Sequence, residues 1–201
     1  MATRPGERKN QILQVLAEML QAPKGEKITT AALAARLDVS EAALYRHFAS
    51  KAQMYEGLIG FVEETVFGLI NKISEEQESG LKQTHAFASM LLTFAEKNPG
   101  MTRVLIGDVL VNEDERLQTR INQLHDRLEA TLKQSLRLAA TQEQIDKNTD
   151  ANDAGYAASD PGARANLILA YIIGRWHQYA KSGFKRLPTE LWQKQGPMLL
   201  G

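Results

Sequence analysis

Thr29, Thr30, Ser40, Glu41, Tyr45, Arg46, His47 and Lys51 crowd hydrogen-bonding and cationic side chains into one short stretch, with the small Ala42 among them. These types suit recognition of a polyanion. Arginine can address a base edge with two parallel N–H groups, while tyrosine, histidine and lysine can meet phosphate oxygens. Ser40, Glu41, Ala42 and Arg46 are the candidates for base edges; Tyr45, His47 and Lys51 are the candidates for phosphates. Thr29 and Thr30 join the set from the start of the preceding element.

Positioning such groups requires two short helices. Thr29 can cap a helix from Thr30 to Leu37, its hydroxyl accepting from an N–H of the first turn. Leu33 and Leu37 share one face of that helix, and Ala31, Ala32, Ala34 and Ala35 favour it intrinsically. The turn is Asp38-Val39-Ser40: aspartate tolerates a left-handed backbone, Val39 reads as a buried plug, and Ser40 caps the next helix, Glu41 to Phe48. Ser50 with Gln53 matches a capping box at the start of a third helix. Two helices joined by a three-residue turn form a helix-turn-helix, whose second helix enters the major groove.

Residues 40–51, SEAALYRHFASK, followed by a long helix and preceded by an amphipathic one, resemble the DNA-binding motif of the TetR family. The resemblance implies an all-α fold, with a three-helix DNA-binding domain over residues 1–52 and a helical dimerisation and partner-binding domain over residues 53–201. It also implies a homodimer on palindromic double-stranded DNA.

The 201-residue chain has 24 Lys and Arg against 24 Asp and Glu, so charge favours nucleic acid only through its distribution. Residues 1–52 hold eight basic residues (Arg4, Arg8, Lys9, Lys24, Lys27, Arg36, Arg46, Lys51) against five acidic ones. Arg4, Arg8 and Lys9 precede a first helix expected over about Glu7–Leu20 and read either as a mobile phosphate-touching arm or as a solvated terminus. There is no cysteine, which removes disulfides and thiolate chemistry. No apolar run reaches membrane-spanning length and the start of the chain lacks a signal peptide's apolar core, so a cytoplasmic location is expected.

Beyond Lys51, apolar periodicity predicts helices to about Ile73, from His85 to Lys97, and from Met101 to about Val111, with Asn98-Pro99-Gly100 as a break. A longer helix is expected from Glu113 to about Leu138, with Leu117, Ile121, Leu124, Leu128, Leu132 and Leu136 on one stripe. The polar segment from Thr141 to Asp160 reads as a loop. Asp160 then caps a helix beginning at Pro161 and running to about Lys181. Leu117, Ile121, Leu124 and Leu128, with Ile168, Tyr171, Ile172 and Trp176, are the candidates for a two-fold four-helix interface; an internal core is the other reading of the same pattern.

A finer resemblance lies in residues 46–64, 96–105 (EKNPGMTRVL), 120–137 (RINQLHDRLEATLKQSLR) and 182–189 (SGFKRLPT), which are similar to the nucleoid-occlusion, SlmA-type branch of the family. That resemblance implies a DNA-bound factor that antagonises polymers of the tubulin-like division protein FtsZ, with Phe61, Met90, Lys97 and Asn98 as partner-binding residues. The chain departs from the branch at Leu69, where a basic residue is usual, and at Lys97, where arginine is usual.

Catalysis is not expected. His47, His85, His125 and His177 lack metal-ligand spacing with one another, and Gly57, Gly60 and Gly68 lie in a helical pattern with no strand before them. No metal or cofactor is implied. The alternative function is a ligand-responsive repressor, with Trp176, Tyr171, Phe87, Phe94 and Met101 lining a cavity or, equally in type, filling a core.

Overall fold

The computed structural model describes residues 5–22, 28–147 and 160–200. Among them every regular element is a helix: α1 (Pro5–Met19), α2 (Thr30–Arg36), α3 (Glu41–Tyr45), α4 (Lys51–Glu76), α5 (Gly80–Lys97), α6 (Pro99–Leu105), α7 (Glu115–Lys147), α8 (Pro161–Lys181) and α9 (Trp192–Leu200). The expected all-α class is what is found. The chain divides into two compact units, Met1–Glu64 with Asn98–Ile121, and Thr65–Lys97 with Asn122–Gly201.

In the first unit Ile12 and Leu16 of α1 and Leu20 just after it are buried together with Leu33, Leu44, Phe48, Met54, Leu58 and Ile59. Leu33 and Leu44 come from opposite sides of the turn, so burying them holds the two short helices together. Alpha-helix α6 lies directly on α1: a Cβ at Gly100 would fall 1.9 Å from the Ala17 carbonyl oxygen. Glycine is therefore needed for the backbones to meet. Pro99 takes the first helical turn of α6, where its missing N–H costs nothing. Asn98-Pro99-Gly100 is thus a break that immediately starts a new helix, two residues earlier than the sequence pattern suggested.

In the second unit α5 packs on α8. Trp176 is fully buried and its indole N–H donates to the Leu91 carbonyl at 3.3 Å; the Tyr179 hydroxyl donates to the Glu96 carbonyl at 3.0 Å. Arg175 is also buried, its guanidinium donating to the Pro188 carbonyl at 3.2 Å and the Leu187 carbonyl at 2.6 Å. It thereby fixes the loop that leads to α9, a helix for which the sequence pattern gave no expectation. At the opposite end of α8, Asp160 accepts from the Gly162 N–H at 2.9 Å, the cap expected of it.

Two helix boundaries move for one physical reason. Gln142 on α7 accepts from the Gly80 N–H at 3.0 Å and donates to the Glu78 carbonyl at 2.8 Å. A side chain distant in sequence caps α5, so α5 begins at Gly80 rather than near His85, and α7 persists beyond Leu138 to Lys147. The loop expected over 141–160 is helical to Lys147, and residues 148–159 lie outside the described ones.

The interface expectation is corrected by burial. Leu117, Ile121 and Leu124 are each 1 % exposed and Leu128 is 2 %, while Ile168, Ile172 and Trp176 are at 0 %. These side chains are already covered within their own chain and have no surface left for a second copy. The internal-core reading of the stripe is the one realised; of the set, only Tyr171 is half-buried.

Candidate nucleic-acid interface

The helix-turn-helix forms with the caps that its sequence provides. Thr29 accepts from the Ala32 N–H at 3.1 Å, and Ser40 accepts from the Ala43 N–H at 3.2 Å. Asp38 adopts φ 53°, the left-handed geometry its side chain tolerates. Val39 is half-buried rather than a fully buried plug; its backbone N–H closes the turn on the Ala34 carbonyl at 3.0 Å. Ser50 accepts from the Gln53 N–H at 3.2 Å, and Gln53 reaches back to the Ala49 N–H at 2.8 Å, one residue earlier than in the usual capping box.

Helix α3 is shorter than expected, ending at Tyr45 instead of Phe48, with Arg46 as its C-cap residue. Its inward residue is Leu44, at 1 % exposure. Facing outward are Glu41, Ala42, Tyr45 and Arg46, and Tyr45 retains 45 % exposure. His47 is half-buried. A second link, unseen in the sequence, joins the helices: Thr30 donates to the Glu41 carboxylate at 2.6 Å and accepts from the Tyr45 hydroxyl at 3.4 Å. That network holds Glu41 and Tyr45 against α2 and leaves Arg46 and Ala42 outside it.

The charges around this surface are placed by helices. Arg8 and Lys9 lie within the opening turns of α1 and do not precede it; Arg8 donates to Gln11 at 2.6 Å and Lys9 stands 5.7 Å from the Phe48 ring centroid. Arg4, Lys24 and Lys27 fall outside the described residues. Lys51 opens α4, its ammonium paired with Glu113 and 5.6 Å from the Tyr55 ring centroid. Burial first, and then the Glu113 charge, push the Tyr55 hydroxyl pKa well above its ordinary value. Glu113 carried no sequence signal, because its partner lies far away along the chain.

Phe61 is 47 % exposed on α4 and Asn98 is half-buried at the N-cap of α6, both in the first unit. Met90, half-buried on α5, and Lys97, exposed at its end, belong to the second. Leu69 is 39 % exposed. Among the alternative cavity residues, Phe87, Phe94 and Trp176 are buried side chains of the second unit's core. A 710 Å³ groove in that unit is lined instead by Ser74, Gln83, Gln134, Ser135, Arg137 and neighbouring residues. No described helix is long and apolar enough to cross a membrane, and the described residues hold no group of three or more metal-ligating side chains.

Residues 16–58 match a family model described as bacterial regulatory proteins of the tetR family, and residues 78–201 match the SlmA-like model of the tetracycline-repressor-like C-terminal domain. The nucleoid occlusion factor SlmA of Idiomarina loihiensis is 48 % identical over 97 % of this chain and 94 % of its own. That of Marinomonas sp. is 44 % identical over 99 % and 96 %. Among solved structures, a TetR-family regulator from Agrobacterium tumefaciens superposes with a TM-score of 0.73 at 16 % identity, covering 98 % of this chain and 97 % of that one. FadR of Bacillus subtilis, in complex with stearoyl-CoA, gives 0.68 at 14 %, covering 96 % and 97 %. At such identities the structures attest the fold alone.

Proposed function

The chain belongs to the TetR family and to its nucleoid-occlusion branch, and from that premise we propose that it binds palindromic chromosomal sites as a homodimer and, so bound, antagonises FtsZ assembly over the nucleoid. The observation that carries this reading is the reach of the similarity. Identity of 48 % extends over 97 % of the chain, well past the helix-turn-helix that all DNA-reading relatives need. The proposed activity is binding at a location in the cytoplasm, on the nucleoid, and involves no catalysis.

Arg46 and Ala42 are the proposed base-edge contacts, standing outward and outside the Thr30 network. Ser40 and Glu41 meet the groove from the first turn of α3. Tyr45, His47 and Lys51, with Thr29 and Thr30, position the motif on phosphates. For dimerisation we assign the outer face of α8: Ala163, Leu167 and Ala170 are exposed, Leu167 at 55 %, and the place of a Cβ on Gly174 is open space. Their spacing puts them on one side of the helix, and small residues allow two helices to approach closely. Reading a palindrome requires two recognition helices about 34–36 Å apart, one from each copy. Phe61, Met90, Lys97 and Asn98 are the proposed FtsZ contacts.

Sedimentation of FtsZ polymers tests this function. Adding the protein with its palindromic duplex should deplete the polymer pellet, whereas protein with a scrambled duplex of equal length should deplete it far less. Equal polymer loss with both duplexes would remove DNA from the mechanism.

A further inference from the structure

Lys51 occupies the first turn of the 26-residue helix α4. A cation there opposes the helix macrodipole, whose N-terminal end attracts anions. The structure supplies an anion: the Glu113 carboxylate holds the Lys51 ammonium. We propose that Glu113 is a built-in stand-in for DNA phosphate, occupying Lys51 in the free protein and surrendering it to the backbone on binding. The proposal rests on the DNA-binding reading above and adds to it an internal competitor that sets affinity.

The two partners differ in freedom. Glu113 is fixed by its backbone, because its N–H closes a turn on the Leu110 carbonyl at 3.0 Å and the Leu110 N–H closes the preceding one on Gly107 at 3.1 Å. Gly107, at φ 75°, and Asn112, at φ 67°, give this segment its tight path. The same region is anchored through Arg103, which donates to Asp108 at 3.3 Å, to the Leu20 carbonyl at 3.3 Å and to the Ala22 carbonyl at 3.4 Å. Asp108 and Asp114 each have an arginine partner in Arg103 and Arg116. Glu113 is the carboxylate of this segment that takes its cation from the helix-turn-helix side.

Lys51, by contrast, is a flexible four-carbon arm. Its side chain is 25 % exposed, that of Glu113 is 21 % exposed, and both line a cleft of about 390 Å³. Neither charge is sealed from water, so exchanging one anionic oxygen for another does not strand a buried charge. A phosphate at the N-terminus of α4 would offer Lys51 the same charge-assisted bond while also favouring the helix dipole.

The test is duplex binding by the full chain as a function of salt. Glu113→Gln should tighten binding to palindromic and scrambled duplex alike, by about three- to tenfold at low salt, and steepen the slope of log affinity against log salt by up to roughly 0.9, because salt also weakens the Lys51–Glu113 pair that the native chain must give up on binding. In a Lys51→Met background the same substitution should do nothing. Weaker binding by Glu113→Gln would overturn the proposal by making Glu113 a group that positions Lys51 for DNA; an unchanged slope, or a gain that persists without Lys51, would overturn it too. Should Glu113→Gln fail a thermal-unfolding check, Glu113→Asp, one methylene shorter, is expected to give a smaller gain in the same direction, and no gain rejects the idea. Failure of the native chain to bind either duplex would reject the DNA-binding reading instead, a result separate from all of these.

Discussion

Helices α3 and α8 show opposite uses of a helical surface. In α3, five residues bury only Leu44 and leave Glu41, Ala42 and Tyr45 facing out, with the C-cap Arg46 exposed beside them. Alpha-helix α8 spans 21 residues and buries Ala165, Ile168, Leu169, Ile172, Arg175, Trp176 and Tyr179 within its own chain. One helix is held in place by its neighbours so that its side chains remain available. The other spends most of its circumference on the core and offers a narrow outer strip. The contrast locates recognition by what packing leaves free, not by how apolar a helix looks.

Substitutions in the two helices should therefore fail in different ways. Trp176→Ala removes a fully buried indole and its bond to Leu91, and should cost about 3–5 kcal/mol of stability, read as a lowered midpoint in chemical unfolding. A native-like midpoint would break the contrast at its strongest point. Arg46→Ala should leave the midpoint nearly unchanged and lose roughly 1–3 kcal/mol of discrimination between palindrome and scrambled duplex. Equal losses on both duplexes would make Arg46 a phosphate contact.

The outer strip of α8 gives a smaller, cooperative effect. Leu167 is 55 % exposed, so truncation to alanine forfeits about 1 kcal/mol per copy on the proposed interface. Two-fold symmetry doubles that, and dimer dissociation measured by sedimentation equilibrium should weaken by roughly thirtyfold. An unaltered dissociation constant would move the interface elsewhere. Smallest is the acid response at the start of α8. The Gly162 N–H bond holds the Asp160 carboxyl pKa below its ordinary value, so this cap contributes at neutral pH and above the unfolded value, and is lost as pH falls through the folded one. The protection of the Gly162 amide, measured against its intrinsic exchange rate at each pH, should fall on that acidification; protection lost instead toward alkaline pH would contradict the assignment.

What the sequence made legible followed the range of the interaction. Caps at Thr29, Ser40 and Asp160 and the left-handed Asp38 are decided by residues within a turn of each other, and all are found as read. The start of α5 depends on Gln142, the pairing of Lys51 on Glu113, and the meeting of α6 with α1 on Gly100 and Ala17. Nothing local announces such partners. The leucine stripe of α7 shows a third kind of limit. Periodicity reports that Leu117, Ile121, Leu124 and Leu128 are buried, but not whether their own chain or a second copy covers them, and here their own chain does. The outer strip at the exposed Ala163, Leu167 and Ala170 and the half-buried Gly174 was readable as helical spacing, yet was obscured by the larger residues beside it.

The central claim, that DNA and FtsZ act on this protein as coupled ligands, is tested most directly by measuring palindrome affinity with and without FtsZ. Linkage requires the coupling to be reciprocal: if DNA strengthens the FtsZ contact, FtsZ must tighten the palindrome by the same factor, about 5–150-fold for couplings of ordinary size. The account predicts such tightening, equal to the gain in FtsZ affinity that the duplex confers. A palindrome affinity unchanged by saturating FtsZ would contradict it.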